Sequence, residues 1–176
     1  MPNGKDFTML TLIENDPDLD VNATYSKINP KLLDLDDPYM LMNYGEVELM
    51  LAEAAQRGFG GLSAATAEAH YDAGVKASMQ MYTIYDPTLT VSDAAVTTYL
   101  GAHPFGVEKQ ALEMIGDQYW ANHFLNWWEA WSNWRRTNFP VLIPINYPGN
   151  VTNGTIPQRL EYPTAEAAGN PNYSTT

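Results

Sequence analysis

The chain has no cysteine. Disulfides, iron–sulfur clusters, thiol nucleophiles and cysteine-built zinc sites are all excluded by that one absence, which leaves the compartment open. Positive charge is scarce. Nine Lys and Arg stand against 21 Asp and Glu, for a formal charge of −12. Such a surface repels phosphate backbones and anionic lipid, so nucleic acid is not an expected partner. The three histidines, His70, His103 and His123, lie far apart and form no His-x3-His pair, so no zinc site is expected. No apolar run approaches the roughly 20 residues that span a bilayer, and no transmembrane segment is expected. The opening Met1-Pro-Asn-Gly-Lys-Asp-Phe lacks the apolar core of a signal peptide. Gly-x-Ser-x-Gly, Walker and dinucleotide signatures are also missing.

What is present suffices for one folded domain: 176 residues, 45% of them hydrophobic. Residues 1–38 read as an irregular lead-in, broken by Asn-Asp-Pro, Asn-Pro and Asp-Asp-Pro, with a short strand at Phe7–Ile13. Residues 39–136 read as a helical core. Its first helix lies in "NYGEVELMLAEAAQRG", with Asn43 as N-cap, Glu46 closing a capping box, and Gly58 as the stop. Tyr44, Val47, Leu51 and Ala54 or Ala55 recur at three- and four-residue steps and predict its buried stripe, which Leu49 and Met50 widen so that the helix is buried on most sides. A second helix begins at Ser63, carries Ala67, Tyr71, Val75, Met79 and Tyr82 on one face, and ends at Asp86-Pro87. The spacing Ala67-x3-Tyr71-x2-Gly74 fits a tetratricopeptide-like hairpin, in which small residues let two helices approach closely. Residues 88–106 form a linker with a helical turn around Asp93–Leu100. A third, long helix is predicted from Val107 to Arg136. The prolines from Pro140 onward forbid helix and leave residues 137–176 as an extended, Pro-rich segment, with "VLIPI" and "TIPQRLEY" as strand-like pieces. The fold class is therefore mainly α: the hairpin, a long Trp-rich helix, extended Pro-rich loops and few short strands.

All five tryptophans fall between Trp120 and Trp134. At about 100° per residue, Trp120, Phe124, Trp127, Trp131 and Trp134 share an arc of about 80° on one continuous helix. That arc predicts core, with Trp131 and Trp134 inside and Trp128 at the margin, partly exposed.

Other residues offer chemistry. Asp16, Asp18 and Asp20 alternate with Asn22 as in a calcium loop, since alternate oxygen ligands let the chain curl around a hard cation. No Gly follows Asp20, and the twelfth position is Lys27 rather than Glu; a solvated acidic loop is the alternative. No other cofactor is expected. Glu46, Glu48 and Glu53 invite an acid–base reading, because glycosidases use two carboxylates. Glu46 and Glu53 are seven apart and share a face, whereas Glu48 points elsewhere. Capping by Glu46 and an ion pair of Glu53 with Arg57 account for them without catalysis. Arg135 and Arg136 favour the dipole at a helix end and can pair with carboxylates. A sugar needs a flat ring partly open to water with polar groups beside it. Trp128, with Tyr99 and His103 on the 88–106 connection, are the candidate contacts; the alternative is that all three pack against another part of a longer protein.

Four segments carry a resemblance. "EAWSNWRRTNFPVLIP" resembles a motif near the C-terminus of the SusD/RagB family of nutrient-binding outer-membrane lipoproteins, particularly its SusD-like subgroup. "NYGEVELMLAEAAQRG" is similar to that family's Tyr-x-Glu-Val helix. Tyr71, Gly74, Val75, Ser78 and Met79 fit its second-helix pattern, and "TIPQRLEYPTAEAAGNPNY" resembles its closing segment. Together these motifs cover about residues 40–173, in the family's order. The resemblance implies the C-terminal portion of a longer, surface-exposed outer-membrane lipoprotein whose signal peptide and lipid-bearing cysteine would lie upstream. It further implies a non-enzymatic protein that binds an oligosaccharide or peptide and docks on a TonB-dependent transporter. A helical protein–protein interaction scaffold with no small-molecule site is the alternative.

Overall fold

The computed structural model describes residues 28–144, 152–160, 162–163 and 165–173. The chain forms two compact units, one Tyr25–Leu142 and the other Met1–Thr24 with Ile143–Thr176. The architecture is mainly helical, and the helices that matter for a ligand belong to the first unit.

Helix α1 runs Tyr44–Arg57 and starts at Asn43, whose side-chain oxygen accepts from the Glu46 backbone N–H at 2.8 Å. This occupies one of the first-turn donors that has no partner within a helix. Gly58 ends α1 at φ 70°, a left-handed conformation that suits glycine. The capping box forms only by half, because the Glu46 carboxylate turns inward to His123. The buried face matches the predicted stripe at Leu49 and Ala55 and departs from it elsewhere. Tyr44, Val47 and Met50 are exposed, whereas Gly45, Leu49, Ala52 and Ala55 are buried together with Glu46, Glu48 and Glu53. Each of those carboxylates has a cationic or imidazole neighbour from another segment: His123, His70 and Arg136. Partners, not hydropathy, choose the face.

Helix α2, Ala67–Gln80, follows a 3-10 turn at Ala64–Thr66. Ala67, Tyr71 and Val75 are buried, and Met79 packs against the same core, as their spacing predicts. The two helices run antiparallel. Gly45 lies against the Ser78 backbone, Leu49 against Gly74, and Glu48 against His70. A Cβ on Gly74 would stand 2.8 Å from Leu49 Cγ, so the missing side chain is what permits this approach.

Helix α3, Asp93–Ala102, forms where a helical turn is predicted, with Ser92 Oγ accepting from the Ala95 N–H at 3.2 Å. Helix α4, Ala111–Asn122, brings Met114, Ile115 and Tyr119 to the core formed by Leu49, Ala52, Tyr71 and Val75. Asn122, which is buried, exchanges two side-chain hydrogen bonds with Asn43, each 2.9 Å. The end of α4 is thereby fixed to the start of α1.

The single long helix predicted over 107–136 is two helices. After α4 the chain turns through residues 123–126, with Leu125 at φ 73°, and resumes as α5, Trp127–Thr137. Leucine is rarely found in that left-handed region, and no glycine or proline marks the break. Its cause is tertiary: Asn122 is held by Asn43, and His123 is buried beside Glu46. The shared arc of tryptophans dissolves with the helix. Trp134 is core, 8% exposed; Trp131 and Trp120 are half-buried, and Trp127 and Trp128 are exposed.

In the second unit, helix α6 is a single turn, Glu166–Gly169, within the segment where prolines were expected to forbid helix. Pro163 precedes that turn and accepts from the Glu166 N–H, a placement that costs no donor. Tyr162 meets Tyr173 edge-on at 5.7 Å, with the Arg159 guanidinium 4.7 Å from the Tyr162 ring. The strands expected in "VLIPI" and "TIPQRLEY" do not form among the described residues. Phe7–Ile13 lies outside them.

Candidate ligand site

A cavity of about 410 Å³ opens between α1 and α5. Glu46, Met50, Glu53 and Ala54 line it from α1, at helical spacings that put them on one face. Glu129, Ser132, Asn133 and Arg136 do the same from α5. Tyr119 and His123, at the end of α4, and Phe59, just past α1, complete the wall.

Two polar pairs in this cavity behave differently. Arg136 donates from Nη1 to Glu53 Oε1 and from Nη2 to Oε2, both at 2.6 Å, and Arg57 Nε adds a third bond at 2.8 Å. The Arg136 guanidinium, assisted by Arg57 and against the opposing effect of burial, holds the Glu53 carboxyl below the usual carboxylate range. Arg136 also donates to Asn133 at 2.7 Å. This pair is satisfied.

Glu46 and His123 are not. They are 5% and 3% exposed, with His123 Nε2 lying 3.4 Å from Glu46 Oε1. Glu46 Oε2 and both imidazole nitrogens have no hydrogen-bond partner among the described residues. Buried polar atoms nearly always have one, because leaving them unmade costs about 1–3 kcal/mol each. Tyr119 backs the imidazole, its ring centroid 5.3 Å away. The pair is a polar floor with capacity to spare.

Glu48 belongs elsewhere, as its position on the helix predicts. It bonds His70 Nδ1 at 2.8 Å, and Tyr44 first, then His70, hold its carboxyl low.

Of the residues singled out from sequence, Tyr99 and His103 come together, their rings 4.8 Å apart. The Tyr99 hydroxyl accepts from Gln118 at 2.7 Å and its ring packs on the core, whereas His103 Nδ1 sits 3.1 Å from Glu108. Trp128 stands on α5, 64% exposed, edge-on to Trp131. Asp16, Asp18 and Asp20 lie outside the described residues. Among the described residues no three His, Asp or Glu gather as a metal site, and no helix is long and apolar enough to cross a membrane. Sequence reasoning paired Glu46 with Glu53 on one face but missed His123, since nothing in its local sequence marks it as buried.

The matches to known proteins are consistent in kind. Residues 12–163 match a family model described as SusD-like, starch-binding associating with outer membrane. A solved chitin-binding protein is 37% identical, at a TM-score of 0.70, over 80% of this chain and 30% of its own. A solved Bacteroidetes AC2a SusD-like protein is 30% identical, at a TM-score of 0.69, over 92% of this chain and 32% of its own. The chain thus spans about a third of the length of these structures. No curated protein matches it.

Proposed function

This chain belongs to the SusD-like family, and on that premise we propose that it is part of a non-catalytic glycan-binding component of a bacterial outer-membrane uptake system. The observation that carries this reading is the family match over residues 12–163, with 37% identity to a chitin-binding protein beside it. Both descriptions favour oligosaccharide over peptide as the nutrient. The partner would be a TonB-dependent transporter, with the site of action at the outer-membrane surface.

The chemistry of the chain supports binding rather than turnover. A glycosidase needs two carboxylates free to exchange protons or attack carbon. In the α1–α5 cavity Glu53 has both oxygens engaged by guanidinium N–H groups, which leaves it a weak base. Trp128, Tyr99 and His103 remain the rings proposed to meet a sugar, since Trp128 has the open face that stacking needs.

Exposed Tyr44, Val47 and Met50 favour a second reading, a helical interaction scaffold. Calorimetry with chitin- and starch-derived oligosaccharides, and with peptides, separates the two. Saccharide heat without release of shorter products is the expected result. Heat from no saccharide would leave the scaffold, and product release abolished by Glu46→Gln would make the protein an enzyme.

A further inference from the structure

We propose that the cavity between α1 and α5 is a subsite for an uncharged sugar ring, whose hydroxyl or acetamido groups complete the hydrogen bonding of Glu46 and His123. This rests on the glycan-binding reading and gives it a place on the chain.

The argument begins with unmet capacity. Glu46 Oε2 can accept from a hydroxyl, and a neutral imidazole both donates and accepts. Glu46 and His123 are each more than nine-tenths buried, and both line the cavity. The volume, about 410 Å³, falls within the roughly 300–1,000 Å³ of small-molecule sites.

Charge then narrows the guest. Glu129 and Glu46 put negative charge at the wall, and the guanidinium among the described lining residues, Arg136, is already committed to Glu53 and Asn133. An anionic ligand would meet those carboxylates while the Arg136 guanidinium is engaged elsewhere. An uncharged polyol avoids that cost and still supplies donors and acceptors.

Shape points the same way. Met50, Ala54 and Phe59 give the opening an apolar side, with the Phe59 ring 62% exposed. A sugar ring presents C–H groups on its faces and hydroxyls at its edge, which matches an aromatic flank above a polar floor. The same floor borders a second space of about 30 Å³, with room for about one water. Water alone is therefore the competing occupant.

The test is an NMR titration of the 176-residue chain, following the His123 imidazole while N,N′-diacetylchitobiose or maltose is added. Saturable shifts of His123 are expected with at least one disaccharide. Ser132→Trp, at an exposed position on the rim, should abolish them by filling the opening. Glu46→Gln should weaken binding by roughly tenfold or more, as expected for the loss of a charged hydrogen bond. If Glu46→Gln does not fold, Ser132→Trp decides alone. A disaccharide that binds equally well to Ser132→Trp while His123 stays still would overturn the cavity as subsite, leave water as its occupant, and leave glycan binding intact. Failure of both disaccharides to bind the unaltered chain would remove the glycan reading and this inference with it.

Discussion

Glu53 on α1 and Arg136 on α5, 83 residues apart, are joined by two parallel hydrogen bonds. Such a bidentate contact fixes direction as well as distance. It makes α5, the helix carrying most of the tryptophans, a partner of the helix on which the cavity is built.

Because its partners depress the Glu53 carboxyl, the unfolded chain binds a proton there more readily than the folded one. The stabilisation is full above the ordinary value of 4.5 and is lost as pH falls through the lower folded value. Thermal melts from pH 6 downward should therefore show a falling Tm. In Glu53→Gln that slope should flatten, with about 2 kcal/mol lost near neutrality. This is less than the roughly 3–5 kcal/mol of a fully buried pair, because Arg136 is half-exposed and can regain water. An unchanged acid slope in the variant would assign the pH dependence to other groups.

Trp134 and Trp131 should separate in mutagenesis. Trp134→Ala empties a core position and should cost about 3–5 kcal/mol in chemical denaturation. Trp131→Ala removes a half-buried ring and should cost clearly less. Equal losses would mean that the two indoles share one environment.

Gly74→Ala tests the α1–α2 contact. The added methyl would press on the Leu49 side chain, which is fully buried and has nowhere to move. A loss of about 1–3 kcal/mol is expected. The same change at exposed Gly101, where a Cβ meets nothing within 4 Å, should be neutral or stabilising, as alanine favours helix.

Trp128→Ala should leave the melting temperature nearly unchanged, since the ring is largely in water. Calorimetry of that variant should show weakened saccharide binding if the ring is a stacking platform. Full affinity would remove Trp128 from the contact set.

Local signals in the sequence correspond well to the hairpin. Asn43, Gly58 and the spacing of Ala67, Tyr71 and Val75 act through bonds and sterics within a few residues, and each appears where predicted. The break at Leu125 could not be read in this way. Its causes, Asn43 and Glu46, lie some 80 residues earlier, and no proline or glycine records them locally. The buried stripe of α1 was right at Leu49 and Ala55 but missed its glutamates for the same reason: they enter a core only when distant residues wait for them. At the candidate site, the shared face of Glu46 and Glu53 was legible from helical geometry, whereas His123 depended on that unseen break.

Two of the joints made by α1 and its N-cap respond to different conditions. The Asn43–Asn122 amides carry no net charge and do not titrate, so acid and salt leave that clasp shut. The Glu53–Arg136 link is ionic and yields to acid, and on its solvent side to salt. A progressive drop in pH should consequently weaken the α1–α5 joint while the Asn43–Asn122 clasp stays shut. Which joints loosen in acid is set by which of them are neutral, and the wall of the cavity is closed by an ionic one.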